Sequence, residues 1–353
     1  MDLATVWFLL IAFFWAGYLV LEGFDFGVGM LLPFAAKNAD ERGQAIRTFG
    51  PVWDANEVWL IVAGASMFAA FPYWYAAMFS AMYLPLTLLL VALIVRVLAI
   101  EWRVKLDDPQ WKRRCDVVLV ISSYVAPFAV ALALTNVVRG IPLDADSNYS
   151  GTLLDLLNPY ALTGAFAVLA IYALHGATFL GLRSTGAVRE RAQRIAIRIW
   201  PVATLLGGGF GIWTLAGTGG YDAGISPVAV AALAVAAGAL LVAGWAVVQR
   251  REAIAFAATV VAILGVGVLL FAQLWPNVLP STDVAAGTVS IANGSSSPYT
   301  LKVMTWVAVT IVPVVLLYQG WSYWVFRHRV QADGFEKAKS PLQALEQRRA
   351  AED

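Results

Sequence analysis

The chain has 353 residues, of which 60% are hydrophobic and 13% charged, and its formal net charge is +1. Soluble domains carry about 25% charged residues, so a mean hydropathy of +0.72 excludes a soluble globular fold. Near-neutral charge with dispersed basic residues excludes a nucleic-acid partner, and a single cysteine, Cys115, excludes an internal disulfide.

Apolar segments long enough to cross a bilayer follow one another along the whole chain. A hydrocarbon core of about 30 Å requires about 20 apolar residues in a helix. Nine such windows lie near 7–32, 52–72, 76–100, 117–138, 158–181, 195–217, 227–248, 253–275 and 302–326. Because open sheets cannot span lipid, these windows predict an all-α, polytopic membrane protein. The first window lacks a basic leader and a cleavage site, which favours a retained helix.

Basic residues alternate between the two sides of the predicted helices. The loops after predicted helices 1, 3, 5 and 7 and the C-terminal tail hold nearly all Lys and Arg. The other loops hold only Arg139 and Lys302, while Arg96 and Arg198 lie inside predicted helices. Cytoplasmic loops carry the excess of basic residues, so the pattern predicts the N-terminus outside and the C-terminus inside.

Two predicted outer loops, 139–157 and 276–301, are long enough to contain structure. They are either solvated loops or contacts for a partner, and the sequence leaves both interpretations open. The charged tail, 331–353, is predicted to be a helical or disordered cytoplasmic segment without chemistry of its own.

Two pairs of acids interrupt the first two predicted helices. Glu22 and Asp25 lie in the first, and Asp54 and Glu57 open the second. Ionisable groups inside a membrane are rare and indicate a functional site with a partner. Members of each pair are three residues apart and share a helix face. Since an acidic face cannot point at lipid, we expect both pairs to face the bundle interior.

The predicted topology places these four acids in the cytoplasmic half of the membrane, together with Arg96, Glu101 and Asp116. Arg96 can offset two carboxylates at most, so the cluster has room for shared protons and predicts a proton path. The alternative is that the charges only hold helices together. Asp54 and Asp116 are also ordinary acids for a helix N-terminus.

Other conspicuous residues favour packing roles. His175, alone on an apolar helix, is expected to be a hydrogen-bonded packing residue rather than a haem ligand. The two histidines of the chain are too few for a bis-histidine haem together with any other histidine site. The run Gly207–Gly209 with Gly211 predicts close helix contacts. Tryptophans near helix ends fit interfacial belts: Trp15, Trp53, Trp59, Trp74, Trp306, Trp321 and Trp324.

Three motifs carry a resemblance to a known family. They are Gly-Phe-Asp-Phe-Gly-Val-Gly-Met at 23–30, Trp-Asp-Ala-Asn-Glu-Val-Trp-Leu at 53–60, and Val-Met-Thr-Trp-Val-Ala-Val at 303–309. With Asn158-Pro159, Pro276 and Pro280, they strongly resemble subunit II of the cytochrome bd-type quinol oxidases over nearly the whole chain up to about residue 330.

The resemblance implies a fold and a domain organisation. It implies a first four-helix bundle at 1–138, an outer loop at 139–157, a second four-helix bundle at 158–275, an outer loop at 276–301, a ninth helix at 302–330 and a cytoplasmic tail at 331–353. It also implies an integral, multi-pass location in the bacterial cytoplasmic membrane.

The resemblance also implies a partner and a reaction. Subunit I is expected to carry two b haems, one haem d and the quinol site, with no cofactor or metal on this chain. The complex oxidises quinol and reduces dioxygen to water with cytoplasmic protons. Small accessory subunits, lipids and quinone are further expected partners. This chain, which alone is not expected to be catalytic, would support the complex and help conduct protons.

Family positions map onto the candidate site residues. The family's intramembrane aspartates fall on Asp25 and Asp54, its arginine on Arg96, and an acid that opens helix 4 on Asp116. Residues of the tryptophan–aspartate motif that would support the site are Trp53, Asn56 and Trp59. The family has Gln in some members at the place of Glu57, so its role and that of Glu22 rest on the charge argument.

Two other functions stay open from the residues alone. A proton-coupled secondary transporter would place its charges at the bilayer midplane between repeats, whereas these charges are off-centre. A purely structural scaffold subunit would use the acids for helix packing only.

Overall fold

The computed structural model describes residues 2–217 and 225–332, which are mostly helical. The α-helices are α1 Leu3–Ala35, α2 Ala39–Phe49, α3 Trp53–Ala70, α4 Pro72–Ala81, α5 Tyr83–Trp102, α6 Pro109–Arg139, α7 Pro159–Arg183, α8 Gly186–Ala216, α9 Pro227–Val248, α10 Glu252–Leu274, α11 Ile291–Gly294 and α12 Pro298–Val325. Strands β1 Asn277–Leu279 and β2 Val289–Ser290 pair antiparallel, and 3₁₀ turns cover Leu153–Leu157 and Ala285–Gly287. The predicted tail, apart from residues 331 and 332, lies outside the described residues.

Four of the long helices begin with the same local signal, a polar cap followed by proline. Asp108, Asn158, Ser226 and Ser297 each accept a hydrogen bond from a backbone N–H of the first turn. Proline at the first helical position has its φ already set and lacks an N–H that would have no intrahelical partner there. These dipeptides fix where α6, α7, α9 and α12 start.

Eight helices of the described chain are long and apolar enough to cross a membrane: α1, α5, α6, α7, α8, α9, α10 and α12. They coincide with eight of the nine predicted windows, so the prediction of a polytopic helical protein is confirmed at that level. The remaining window, 52–72, is helical as α3, but α3 is not among the eight. Three polar residues, Asp54, Asn56 and Glu57, occupy its first two turns, and α4 follows at Pro72.

Helix α1 is the centre of the molecule and contacts α3, α6, α7 and α10. Around it the other helices pack in chain order, α5 on α6, α6 on α7, α7 on α8, α8 on α9 and α9 on α10. The closest approach is between α1 and α7, where a Cβ on Gly27 or Gly176 would collide with the backbone of the other helix. By contrast α12 lies at the periphery, and only Leu301 and Gln319 of it are buried.

Helix α2 lies at one end of the bundle, which we call the basic end. The C-termini of α1, α5, α7, α9 and α12 and the N-termini of α3, α6, α8 and α10 also lie at this end. Both guanidinium Nη atoms of Arg191 donate to Glu41 at 2.8 Å, and these bonds lower the pKa of Glu41 to about 2. Glu252 accepts from Arg189 at 2.6 Å and from Arg329 at 2.5 Å. The loops predicted to be cytoplasmic therefore meet at one end face.

At the opposite end the two predicted outer loops form one ordered unit. The Ile141 N–H donates to the Pro280 carbonyl at 3.1 Å, and the Thr282 N–H donates to the Ile141 carbonyl at 3.0 Å. The Ser281 hydroxyl donates to the Leu143 carbonyl at 2.9 Å. The loops are thus tied to each other by backbone hydrogen bonds and are not independent solvated segments.

Candidate functional site

A buried ion pair joins α1 to α5. Glu22 and Arg96 are both fully buried, with 0% exposure, and the Nη1 of Arg96 donates to Oε1 of Glu22. The guanidinium carbon also lies 4.5 Å from the centre of the Phe26 ring, a cation–π distance. The sequence left the partner of Arg96 open among the acids, and the structure gives it to Glu22.

Asp25 lies one turn further along α1 and is also fully buried. Its Oδ2 accepts a hydrogen bond of 2.8 Å from the side-chain amide of Asn56 on α3. Arg96 lies within electrostatic reach of Asp25 as well as of Glu22 and Glu57. The first acidic pair therefore faces the interior, as expected.

Asn56 connects this cluster to the last long helix, α12. The carbonyl oxygen of its side chain accepts from the Tyr323 hydroxyl at 2.7 Å and from the Gln319 amide at 3.2 Å. The indole N–H of Trp59 donates to Oε1 of Gln319 at 2.7 Å. Trp59 is thus a buried member of the network. Its assignment to an interfacial belt was wrong, as it was for the buried Trp15, Trp53 and Trp74.

Several polar atoms of the cluster are buried without a hydrogen-bond partner among the described residues. They are Tyr18 Oη, Glu22 Oε2, Asp25 Oδ1, Glu57 Oε2 and both Nε and Nη2 of Arg96. A buried polar atom left unsatisfied costs about 1–3 kcal/mol, and native proteins satisfy such atoms with ordered water. This concentration on α1, α3 and α5 marks a place for bound water beside ionisable groups.

The second acidic pair is placed differently from the prediction. Asp54 is exposed and Glu57 is half-buried, and both line a groove of about 880 Å³ between α3, α4 and α5. The rest of the groove wall is largely apolar, with residues such as Phe68, Leu90 and Ile94. The expectation that both members face the bundle interior is wrong for Asp54. Residues three apart differ by about 60° around a helix, enough to put Asp54 on the outer surface and Glu57 at its edge.

Asp116 belongs to a separate group at the basic end. Its carboxylate accepts from Nε of Arg103 at 2.6 Å and from Nη1 of Arg42 at 3.3 Å. Arg103 also donates to the Ala39 carbonyl, which ties α2 to the start of α6. Glu101 is exposed. The contacts of Asp116 are those of a structural ion pair, and its place on a proton path stays a prediction.

His175 is buried between α1, α7 and α10. Its Nδ1 lies 2.7 Å from the Thr259 hydroxyl and its Nε2 lies 3.1 Å from the Val20 carbonyl, while the ring stacks on Phe256. Both ring nitrogens are occupied, as expected for a packing histidine. Within residues 2–217 and 225–332, no group of three His, Cys, Asp or Glu side chains is arranged to hold a metal.

The sequence pattern did not indicate several neutral residues of the site. Gln319, Tyr323 and Tyr18 carry no charge and occur in apolar windows, so nothing in their spacing separates them from packing residues. One available signal was Gln319, because an amide within a membrane helix requires a hydrogen-bond partner. We call the network formed by Asn56, Gln319, Trp59 and Tyr323 the amide network.

The fold and the site together define a class, a polytopic helical membrane protein with a cluster of buried ionisable side chains near one end of its bundle. The family model of cytochrome bd terminal oxidase subunit II matches residues 3–326. The chain therefore belongs to the cytochrome bd terminal oxidase subunit II family, whose members are subunits of an oxidoreductase complex.

Individual relatives agree with this assignment. Cytochrome bd ubiquinol oxidase subunit 2 of Bacillus subtilis is 37% identical over 93% of this chain and 97% of its own length. Cytochrome bd-I ubiquinol oxidase subunit 2 of Escherichia coli is 32% identical over 95% of this chain and 97% of its own. A chain of the bd oxidase from Geobacillus thermodenitrificans has the same fold, with a TM-score of 0.76 and 16% identity over 92% of this chain and 99% of that chain.

Proposed function

We propose that this chain, as subunit II, delivers cytoplasmic protons to the site of dioxygen reduction on subunit I. The observation that carries the proposal is the set of unsatisfied buried polar atoms on Tyr18, Glu22, Asp25, Glu57 and Arg96. Reduction of dioxygen to water consumes protons, and a buried reaction centre receives them only through a hydrated, titratable path. An apolar helix bundle that served packing alone would have no use for such a site.

The proposed route begins at the basic end, where Asp54 is exposed. Glu57, one turn further along α3, lies between the groove and the buried cluster, and its Oε2 is buried. From there water would link Glu57 to Glu22 and Asp25, while Arg96 balances part of their charge. Asp54 and Glu57 take up the proton, and the fully buried carboxyls hold it beyond the reach of bulk water.

The complex proposed around this chain follows the family. Subunit I would carry two b haems, one haem d and the site of quinol oxidation, and this chain would span the bacterial cytoplasmic membrane nine times as two four-helix bundles plus α12, N-terminus outside and C-terminus inside. In this arrangement α3 crosses the membrane despite its polar first turns, because those turns face cytoplasmic water, the interior of the chain and subunit I rather than lipid.

Two features support a partner on the α3, α5 and α12 side. A carboxylate such as Asp54 is not stable against hydrocarbon, yet it lies on the outer surface of the chain beside an apolar groove. Nearly all of α12 is unburied within the chain, including Trp306, Leu317 and Trp321. Subunit I packed over this side would cover the groove and α12 and would leave Asp54 at the cytoplasmic margin of the contact, in reach of water.

The proposed path is tested by replacing Asp25 with Asn in the complete oxidase. The amide keeps the shape of the side chain and one acceptor oxygen but cannot carry a proton. We expect oxygen consumption per haem to fall by about tenfold or more, since a positioned proton-transfer group contributes about 10²–10⁴ in rate. The haem spectrum should be retained.

Asp146→Asn is the control, because Asp146 is exposed in a loop at the opposite end. Unchanged turnover in Asp25→Asn would leave this chain with a scaffold role only.

A further inference from the structure

Asn56 uses its whole hydrogen-bonding capacity inside the protein. Its Nδ2 donates to the Leu21 carbonyl at 3.2 Å and to Oδ2 of Asp25 at 2.8 Å, and its Oδ1 accepts from Gln319 and Tyr323. A backbone carbonyl can only accept, so the contact with Leu21 fixes which end of the amide faces Asp25. The side chain is fully buried, and a flipped amide would place two acceptors together.

This orientation decides where Asp25 can hold a proton. Its Oδ2 faces an N–H donor, and a neutral amide nitrogen accepts no proton. A proton on the Asp25 carboxyl therefore resides on Oδ1, which is buried and has no hydrogen-bond partner within the described part of the chain.

Beyond Asn56 the amide network offers no relay. Gln319 donates to Asn56 and accepts from Trp59, and neither the amide nor the indole takes up or releases protons near neutral pH. Tyr323 has a hydroxyl, but it donates to the amide oxygen of Asn56 and so is separated from Asp25 by the amide.

We propose that Asn56 is a positioning residue that closes the proton path on the side of α12 and confines the exchangeable proton of Asp25 to Oδ1. The step involves no electrons: the O–H bond at Oδ1 breaks as the proton passes to one water of the proposed path, and an O–H bond forms again at the same oxygen when another water of the path, protonated from the Glu57 side, gives its proton to Asp25. This inference rests on the proposed role of Asp25.

The test is Asn56→Asp in the assembled oxidase. It replaces the donor facing Asp25 by a carboxyl oxygen, so two carboxyls share a proton across the former barrier. The carboxyl C=O band of Asp25 is assigned in redox-induced infrared difference spectra as the band that Asp25→Asn loses. In Asn56→Asp this band should shift in frequency. Turnover per haem should fall several-fold, because Oδ2 now competes with Oδ1 for the proton.

Asn136→Asp is the matched control. Asn136 on α6 is equally buried. Its amide nitrogen donates to the Leu132 and Leu156 carbonyls and its amide oxygen accepts from Asn158, so none of these bonds involves an acid of the site. It introduces the same carboxyl at the opposite end, and the Asp25 band should stay where it is in the unmodified oxidase.

A second variant, Tyr323→Phe, removes the hydroxyl beyond the amide and is informative even if Asn56→Asp fails to assemble. Turnover should fall far less than in Asp25→Asn, because the Leu21 carbonyl still orients the Asn56 amide when this hydroxyl is lost. A slowing as large as that in Asp25→Asn would show conduction through the α12 side and overturn the proposal, as would an Asp25 band in Asn56→Asp equal to that in Asn136→Asp. If Asp25→Asn itself has normal turnover, the proposed function fails first, and the two failures are distinguished.

Discussion

At the scale of single residues, the Glu22–Arg96 pair shows why a buried charge needs a specific partner. Both side chains have no exposure, and each ion loses its hydration on burial. Attraction between the two ions offsets that loss only while both are present. A buried pair therefore adds little to the free energy of unfolding, whereas removal of one member lowers it strongly.

We predict that Arg96→Gln destabilises the oxidase strongly, because Glu22 is left as an unpaired buried carboxylate. Breaking a buried pair in this way costs about 3–5 kcal/mol. Thermal inactivation of the purified complex, followed by loss of the haem spectrum, measures the effect. The double variant Glu22→Gln with Arg96→Gln should recover much of the lost stability. An unchanged inactivation temperature in Arg96→Gln alone would contradict the pairing.

The sequence predicted the charged part of the site better than its geometry. Depth and spacing placed Glu22, Asp25 and Arg96 in one interior cluster, because charges in apolar helices have few alternatives. They did not predict that Arg96 binds Glu22, since that choice depends on how α1 and α5 are rotated. They also placed Asp54 in the interior, which was wrong. Asp54 and Glu57 are separated by about 60° around α3, and this angle is enough to put one on the surface and the other at the edge of the interior.

At the scale of helices, the apolar windows predicted which helices exist, but they did not predict the residues at which those helices begin and end. Helices α6 and α8 start at Pro109 and Gly186, about two turns before the predicted windows. Their first turns carry Arg, Lys and Gln, which lower hydropathy without opposing helix formation. Hydropathy therefore reports where lipid begins, whereas caps such as Asp108-Pro109 report where a helix begins.

The glycine-rich run predicted close helix contact correctly at Gly207 and Gly211 but not at the two glycines between them. A Cβ added at Gly208 or Gly209 would meet nothing within 4 Å in the described part of the chain, although one at Gly207 or Gly211 would contact neighbours. The backbone-to-backbone approach, between Gly27 and Gly176, comes from two glycines far apart in sequence. Only the packing of α1 on α7 reveals that they face each other.

We predict that Gly176→Ala prevents normal assembly, because its Cβ would overlap the backbone of Gly27 and Val28, which cannot move as a flexible side chain can. The yield of haem-loaded complex from membranes measures the effect. Gly208→Ala is the matched control, with open space at the same substitution, and should assemble normally, since Ala is favoured over Gly in a helix by about 1 kcal/mol. Equal yields from the two variants would contradict the close approach.

At the scale of the whole molecule, α12 is held at its two ends and at one point between them. At the opposite end the Trp7 indole donates to Thr305 at 3.0 Å. Near the basic end the amide network holds Gln319, and beyond the helix the Val330 N–H donates to the Arg183 carbonyl at 2.8 Å. A helix that is held by a few polar contacts and is otherwise exposed along its length suits the proposed position of α12 between this chain and subunit I.

The alternation of loops between two ends could also be predicted from the sequence, because Lys and Arg are sorted by membrane side. The structure brings the predicted inner loops together, as the contacts of Glu41, Arg191 and Glu252 show. Which end faces the cytoplasm stays a prediction, since charge statistics and not packing determine it.

We predict that the basic end is cytoplasmic and that site-specific labelling shows it. In a Cys115→Ser background, Asp146→Cys places a thiol on the exposed loop of the opposite end, and Gln249→Cys places one on the exposed α9–α10 turn of the basic end. A membrane-impermeant maleimide should label the first variant in intact spheroplasts, because its loop faces the medium. The second should react only after the membrane is opened, since an unbroken bilayer excludes the charged reagent from the cytoplasm. Oxygen consumption by each variant verifies assembly, and the reverse labelling pattern would place the proposed entrance of the proton path, at Asp54, on the wrong side for uptake from the cytoplasm.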